Sequence, residues 1–475
     1  MKYDQSRMPL IEAMEAHLGK DPISFHVPGH KNGLLMNAGD KQSFYQRDLT
    51  ELSGLDDLHD PHEAISEAEM LLSDLYGSRK SFLLVNGSTV GNIASILATC
   101  SPGDTVLVQR NCHKSVLNGI RLARAVPVLV ETDWDEEGKM PVGVSLTSLK
   151  ATLKAFPDAK ACVLTYPTYY GMTYDVEALI AELHQHGVVS IIDEAHGPHF
   201  QLGRPFPDSA LKSGGDIVIH SAHKMLPAMT MGSYLHIGTD RVNEGKVREY
   251  LSILQSSSPS YPIMASLDYA RSYLGRMTQS DLKRNLEEID GFVQAIQDMK
   301  NGLGVRRTPD PLKLLFYFDG KSGYELQQLL EAQGVFCELA DPFYVLLILP
   351  LVKGDRLFPY KEAVDRIRTA LKEEEASVAD GAAVTIERNK QQHYTTLAIS
   401  LDEMDAKEVE WVSLSQAEGE ISARMIIPYP PGIPLLIPGE RISGDTLVRL
   451  RQYVKNKASI QGEHRLEEGY ICVFR

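Results

Sequence analysis

Cysteine is scarce in this chain. Five residues among 475, at positions 100, 112, 162, 337 and 472, are odd in number, widely spaced and form no C-x-x-C. Neither a disulfide framework nor a structural zinc site is expected, and the thiols are read as reduced. Long apolar runs are missing too. The longest, near residues 344–352, falls far short of the ~20 residues a bilayer span needs, and the polar start MKYDQSRMPL has no apolar signal core. The expectation is a cytoplasmic protein with no membrane partner. Positive charge is in deficit, with 48 Lys and Arg against 63 Asp and Glu for a net −15, which disfavours nucleic acid and leaves a cationic small substrate compatible. Internal repeats and low-complexity tracts are absent.

Several motifs fail on context. The GKS at 320–322 has Leu315 where a P-loop requires glycine, so the DEAH at 193–196 is not read as a helicase element. Ser221 and Lys224 fit S-x-x-K, but S-D-N and K-T-G are absent. His26 and His30 are four apart with Pro28 and Gly29 between them, and His196 and His199 are separated by Gly197 and Pro198. Neither pair sits on a regular helical face, and no metal is expected.

An ordinary folded composition is present, 43% hydrophobic and 23% charged. From about residue 63 apolar strands alternate with helical patterns: strands at 81–85, 105–109, 126–130, 161–166, 188–193, 216–220 and 233–237, helices near 89–98, 114–124, 146–155 and 176–186. Near-continuous apolar strands in such alternation predict a mostly parallel sheet covered on both faces, an α/β large domain. After about 255 two long helical stretches, 262–275 and 279–300, lead to strands at 312–318, 344–349 and 394–400 with helices near 323–333, 360–373 and 444–455. This part reads as a smaller C-terminal α+β domain. The organisation expected is an N-terminal arm (1–60) packed on something else, such as a partner subunit, then a large domain (61–300) and a small one (301–475).

Four strand ends carry chemistry. Strand 216–220 runs into Ser221-Ala222-His223-Lys224, where a desolvated lysine becomes a nucleophile towards carbonyl carbon, although a surface lysine is the ordinary alternative. Strand 188–193 ends in Asp193, followed by Glu194, Ala195 and His196. A carboxylate there can hold a protonated ring nitrogen or simply cap a helix. Asn86-Gly87-Ser88-Thr89 opens a helix after strand 81–85, a phosphate cradle or a plain N-cap turn. His113 follows strand 105–109 at the same edge. Phosphate cradle, imidazole, carboxylate and lysine together are what pyridoxal phosphate requires.

On these residues the chain resembles the fold-type-I, pyridoxal-phosphate-dependent Orn/Lys/Arg decarboxylase class. Nine segments are similar to that class in its order: FHVPGHKNG (25–33), LDDLHDP (55–61), NGSTVGN (86–92), RNCHKS (110–115), PTYYGM (167–172), DEAHGPH (193–199), SAHK (221–224), SSSPSYPIMASLD (256–268) and YPPGIPLLIPGE (429–440). The resemblance implies that Lys224 forms the Schiff base, Asp193 pairs with the pyridine nitrogen and His113 stacks on the ring. It further implies that Ser88, Thr89, Ser221 and His223 hold the phosphate, that Ala195 and His196 lie beside the cofactor, and that Ser257 or Ser258 reaches a partner's phosphate. Glu440 resembles an acid near the distal amine of the substrate, and His26 and His30 line a neighbour's entrance.

The implied reaction is decarboxylation of arginine, lysine or ornithine to agmatine, cadaverine or putrescine, in the manner of polyamine biosynthesis, by a homodimer or tetramer with shared sites. Nothing but a short helix precedes the FHVPGH segment here, whereas long members carry a wing domain, hence the smaller assembly. Tyr170 stands where long members often have Asp, and TMGSYLH (230–236) differs from their more polar version. Aminotransferase, aldolase or lyase chemistry, and a catalytically silent pyridoxal phosphate-binding regulator, remain alternatives.

Overall fold

A computed structural model describes residues 1–20, 45–372, 392–428, 433–455, 459–462 and 465–475. The large domain is built on β1 (Lys80–Leu84), β2 (Thr105–Gln109), β3 (Val126–Val130), a β4 and β5 hairpin (Thr132–Asp135 and Met140–Val144), β6 (Ala161–Thr165), β7 (Val189–Asp193), β8 (Ile217–His220) and β9 (Ser233–Ile237). The smaller domain contributes β10 (Leu303–Arg307), β11 (Lys313–Phe318), β12 (Leu339–Ala340) and β13 (Val345–Ile348), and β14 (Tyr394–Thr396) follows. The central sheet has eight strands in the order β1-β9-β8-β7-β6-β2-β3-β14. Neighbours from β8 through β3 are parallel, while β9 lies antiparallel between β1 and β8.

The apolar strands are explained by two-sided burial. Val106, Val108, Ala161, Val163, Ile191, Ile217 and Ile219 face one apolar cluster, and the alternating Leu107, Cys162, Leu164, Ile192 and Val218 face another. The Gly87–Thr99 and Lys114–Ala123 helices cover the first face, and the Ala64–Tyr76, Leu146–Ala155 and Val176–Gln185 helices contribute to the second. Gly91 lets the first of these lie close to the sheet, since a Cβ there would sit 2.9 Å from Ile219 Cγ2 and from Leu84 Cδ1. Because β1, β2, β7 and β8 run the same way, their carboxyl ends share one edge, where open α/β sheets collect ligands.

One expectation is revised. Residues 394–396, predicted among the strands of the smaller domain, pair antiparallel with β3 and extend the large sheet. The described part of the arm packs on its own chain: Leu10 and Met14 of the Pro9–Leu18 helix are buried, and Leu10 N donates to Asp268 Oδ2 at 3.1 Å. Arg271, itself buried, reaches both Asp268 (2.6 Å) and the main chain of Gln5 (3.1 Å), so the arm's backbone supplies acceptors to an interior guanidinium. After the 279–297 helix, β10-β11-β13-β12 form a four-stranded antiparallel sheet. Residues 414–473 hold a separate apolar cluster around the Gly444–Lys455 helix. Among the described residues no helix is long and apolar enough to cross a membrane.

Candidate active site

Asp193 closes β7 and is 4% exposed. Its Oδ2 accepts from Asn92 Nδ2 at 2.9 Å and its Oδ1 from the amide of Ala195 at 3.2 Å. Asn92 lies one helical turn beyond Ser88, and its amide also donates to Ser115 Oγ at 2.9 Å. The side chain of His113 caps the Lys114–Ala123 helix, its Nδ1 3.2 Å from Ser115 N and 2.9 Å from Ser115 Oγ. With two donors turned on Nδ1, the neutral ring carries its proton on Nε2. Burial lowers the His113 pKa, the Asp193 charge pulls it back up, and Lys224 lowers it further, which keeps the imidazole neutral. Replacing Asn92 by leucine leaves Asp193 Oδ2 and Ser115 without their shared donor. We expect N92L to lose about tenfold in kcat, on the ~1–2 kcal/mol scale of a buried hydrogen bond to a charged group, read by steady-state kinetics. Unchanged kcat would remove Asn92 from the site.

Lys224 follows β8 on a four-residue helical turn, Ala222–Met225, and its Nζ lies 3.1 Å from Nε2 of His196. Burial pushes the amine's pKa down, while Asp193 and Glu338 act in the opposite sense. His196, 4% exposed, is pushed well below the ordinary histidine range by burial and then by Lys224, and its Nδ1 is buried without a partner. Ser221 donates to Ser88 Oγ at 2.7 Å, which joins the turn after β8 to the helix that opens after β1. His223 Nδ1 lies 3.0 Å from the carbonyl of Gly232. Thr89 is exposed on the same first turn, and Asn86 makes no side-chain cap there, so N–H groups of that turn are left to an outside acceptor.

The structure thus gathers Ser88, Thr89, Asn92, His113, Asp193, Ala195, His196, Ser221, His223 and Lys224 along one sheet edge. Ser257 and Ser258, expected to reach a partner's phosphate, are exposed beyond the Glu244–Leu254 helix. Glu440, 8% exposed, accepts from Arg110 Nη2 at 3.1 Å, a cation of this chain. His26 and His30 lie outside the described residues. His199 turns away to Asp310 at 3.0 Å, and among the described residues no group of three or more His, Cys, Asp or Glu could hold a metal ion.

Sequence reasoning missed Asn92, Tyr169, Lys313 and Glu338. Tyr169 stands edge-on to His196 with ring centroids 4.5 Å apart, and its hydroxyl donates to Glu338. Lys313, fully buried, donates to the Tyr169 carbonyl at 2.6 Å. A lone lysine opening the apolar run KLLFYF was the signal available for it.

These residues fit pyridoxal phosphate: an uncapped helix start with hydroxyls for a phosphate, a buried carboxylate for a ring nitrogen, a desolvated amine for an aldehyde, and an orphaned imidazole nitrogen beside it. Fold and site define a fold-type-I pyridoxal phosphate enzyme. The model of the Orn/Lys/Arg decarboxylase major domain matches residues 8–314, and that of the Orn/Lys/Arg decarboxylase C-terminal domain matches 384–462. The chain is 46% identical to the uncharacterized protein YaaO of Bacillus subtilis, with 98% of both chains covered, and 30% identical to an arginine decarboxylase of the same organism, with 96% of both covered. Its fold is similar to that of the constitutive lysine decarboxylase of Escherichia coli, TM-score 0.79 at 20% identity, covering 99% of this chain and 82% of the other. The chain belongs to the Orn/Lys/Arg decarboxylase family and is a pyridoxal-phosphate-dependent decarboxylase.

Proposed function

We propose that the enzyme decarboxylates a basic amino acid, arginine before lysine or ornithine, and releases the amine in the manner of polyamine biosynthesis in the cytoplasm. The observation that carries this reading is the buried Lys224 amine, placed 3.1 Å from His196 and biased by two carboxylates, Asp193 and Glu338. Bound at this edge, pyridoxal phosphate supplies an electron sink for the bond between the α-carbon and its carboxylate. Ser88, Thr89, Ser221 and His223 bind its phosphate, and Asp193 holds a proton at the ring nitrogen. His113, neutral and capped at Nδ1, offers a flat face to the ring. Lys224 Nζ, sharing hydrogen-bond contact with His196, moves a proton to the α-carbon once CO2 has left.

Glu338 rather than Glu440 is assigned to the distal cation of the substrate. Glu338 is exposed beside Tyr169 and Lys224, whereas the Glu440 carboxylate is already matched by Arg110. Arginine comes first because the relative named arginine decarboxylase is matched over nearly its whole length. The active unit is read as a homodimer with shared sites, a reading supported by the exposed Ser257 and Ser258.

Mass spectrometry after separate incubation of the loaded enzyme with arginine, lysine and ornithine tests the substrate. Agmatine as the dominant product is the expected result, and light scattering on the same sample should give two or more chains. No amine from any of the three would overturn the basic-substrate reading, and a monomer with full activity would overturn the shared site.

A further inference from the structure

Lys313 opens β11, the second strand of the smaller domain's sheet, and its side chain is completely buried. An interior lysine must find acceptors for its ammonium. Here Nζ donates at 2.6 Å to the main-chain carbonyl of Tyr169, in the turn of the large domain that follows β6. Two further bonds from the smaller domain hold that turn: the Tyr169 hydroxyl donates to Glu338, and the Tyr170 hydroxyl donates to Asp341 Oδ2 at 2.6 Å. Gly171, at φ 86°, allows the approach, because a Cβ there would lie 2.9 Å from Lys313 Cδ and 2.7 Å from Thr308 Oγ1. On its other side the Tyr169 ring meets His196, and the amines of Lys224 and Lys313 both stand 5.7 Å from its centroid.

We propose that Lys313 is a positioning residue: from the smaller domain it fixes the Tyr169 ring that walls the Lys224 amine and the His196 imidazole. This rests on Lys224 being the lysine that carries the cofactor. The charged groups facing Lys313 come from several elements. Asp310, just ahead of β11 and paired with His199, and Glu338, just ahead of β12, are its counter-charges. Lys224 opposes it from the turn after β8, and His196 feels its field from the turn after β7. Burial brings the Lys313 amine down to about 7, so below neutrality it adds a second cation beside Lys224. The smaller domain therefore sets both the wall and part of the field around the reactive amine.

The test is the holoenzyme of K313M, read by the pH titration of the cofactor's visible band, its induced circular dichroism and steady-state kinetics. Loss of a neighbouring cation should raise the titration midpoint by about half a unit or more. The dichroic band should change amplitude as the ring loses its anchor, and kcat should fall about tenfold with KM within about twofold, because Lys313 acts through Tyr169 and not on substrate. If K313M does not accumulate as folded protein, Y169L decides, since it removes the wall and leaves Lys313 and the carbonyl in place. It should change the dichroic band in the same way. A folded K313M, or Y169L in its place, with wild-type dichroism and kcat overturns the proposal. A visible band that survives in K224A would instead overturn the assignment of Lys224, so the two failures are distinguishable.

Discussion

Lys224→Ala is expected to abolish both the visible absorbance of the bound cofactor and the production of amine. The amine at position 224 is desolvated, with the resulting fall in pKa opposed by Asp193 and Glu338, and it sits within hydrogen-bond reach of His196. Alanine supplies no nucleophile for the aldehyde and no proton for the α-carbon, so two steps fail together. Loss of at least ~10⁴-fold in kcat/KM, or ~5 kcal/mol of transition-state stabilisation, is the expected scale. Fold integrity separates this from collapse. The flanking Ala222, Met225 and Leu226 are buried and untouched, and removing a charge from a desolvated place costs the fold little, so Tm without cofactor should stay within a few degrees of wild type. Turnover retained by folded K224A would remove Lys224 from the chemistry.

How much of this was legible in the sequence follows from where each residue sits. The seven strands from β1 to β9 in the central sheet were readable because both faces are covered, which makes each of them a short, nearly uninterrupted apolar run. The β4 and β5 hairpin was not, since TDWDEEGKMPVGV is polar and half exposed. Nor was the place of β14. Its three residues, Tyr-Thr-Thr, carry no sign of which sheet they join, and the pairing with β3 spans more than 250 positions of sequence.

At the site, Lys224, Asp193, His113, Ser88 and Ser221 were legible because each ends or follows a strand of one sheet, so one-dimensional order translates into a shared edge. Tyr169, Lys313 and Glu338 were not, because their meeting depends on how the smaller domain docks against the turn after β6. The pairing of Glu440 with Arg110, 330 positions away, was likewise out of reach of sequence order.

Asp193→Asn should retain the fold and the cofactor's lysine bond yet lose about 10³-fold in kcat. The change is isosteric, but asparagine has a single acceptor oxygen, so it keeps the bond from either Asn92 or the Ala195 amide and turns its own N–H2 towards the other donor. What disappears is the buried negative charge. A ring nitrogen facing an amide instead of a carboxylate is no longer held protonated, and the electron sink weakens by ~4 kcal/mol, the scale of a preorganised charge lost from a water-poor site. A second readout has a defined sign. The Asp193 carboxylate favours the charged forms of both Lys224 and His113, so its removal should lower the midpoint of the visible-band titration, opposite to the rise expected for K313M. D193N with wild-type kcat, or a midpoint that moves upward, would show that the carboxylate closing β7 does not face the ring nitrogen. The opposed shifts of the two variants also separate field effects from general loosening, which would move both midpoints the same way.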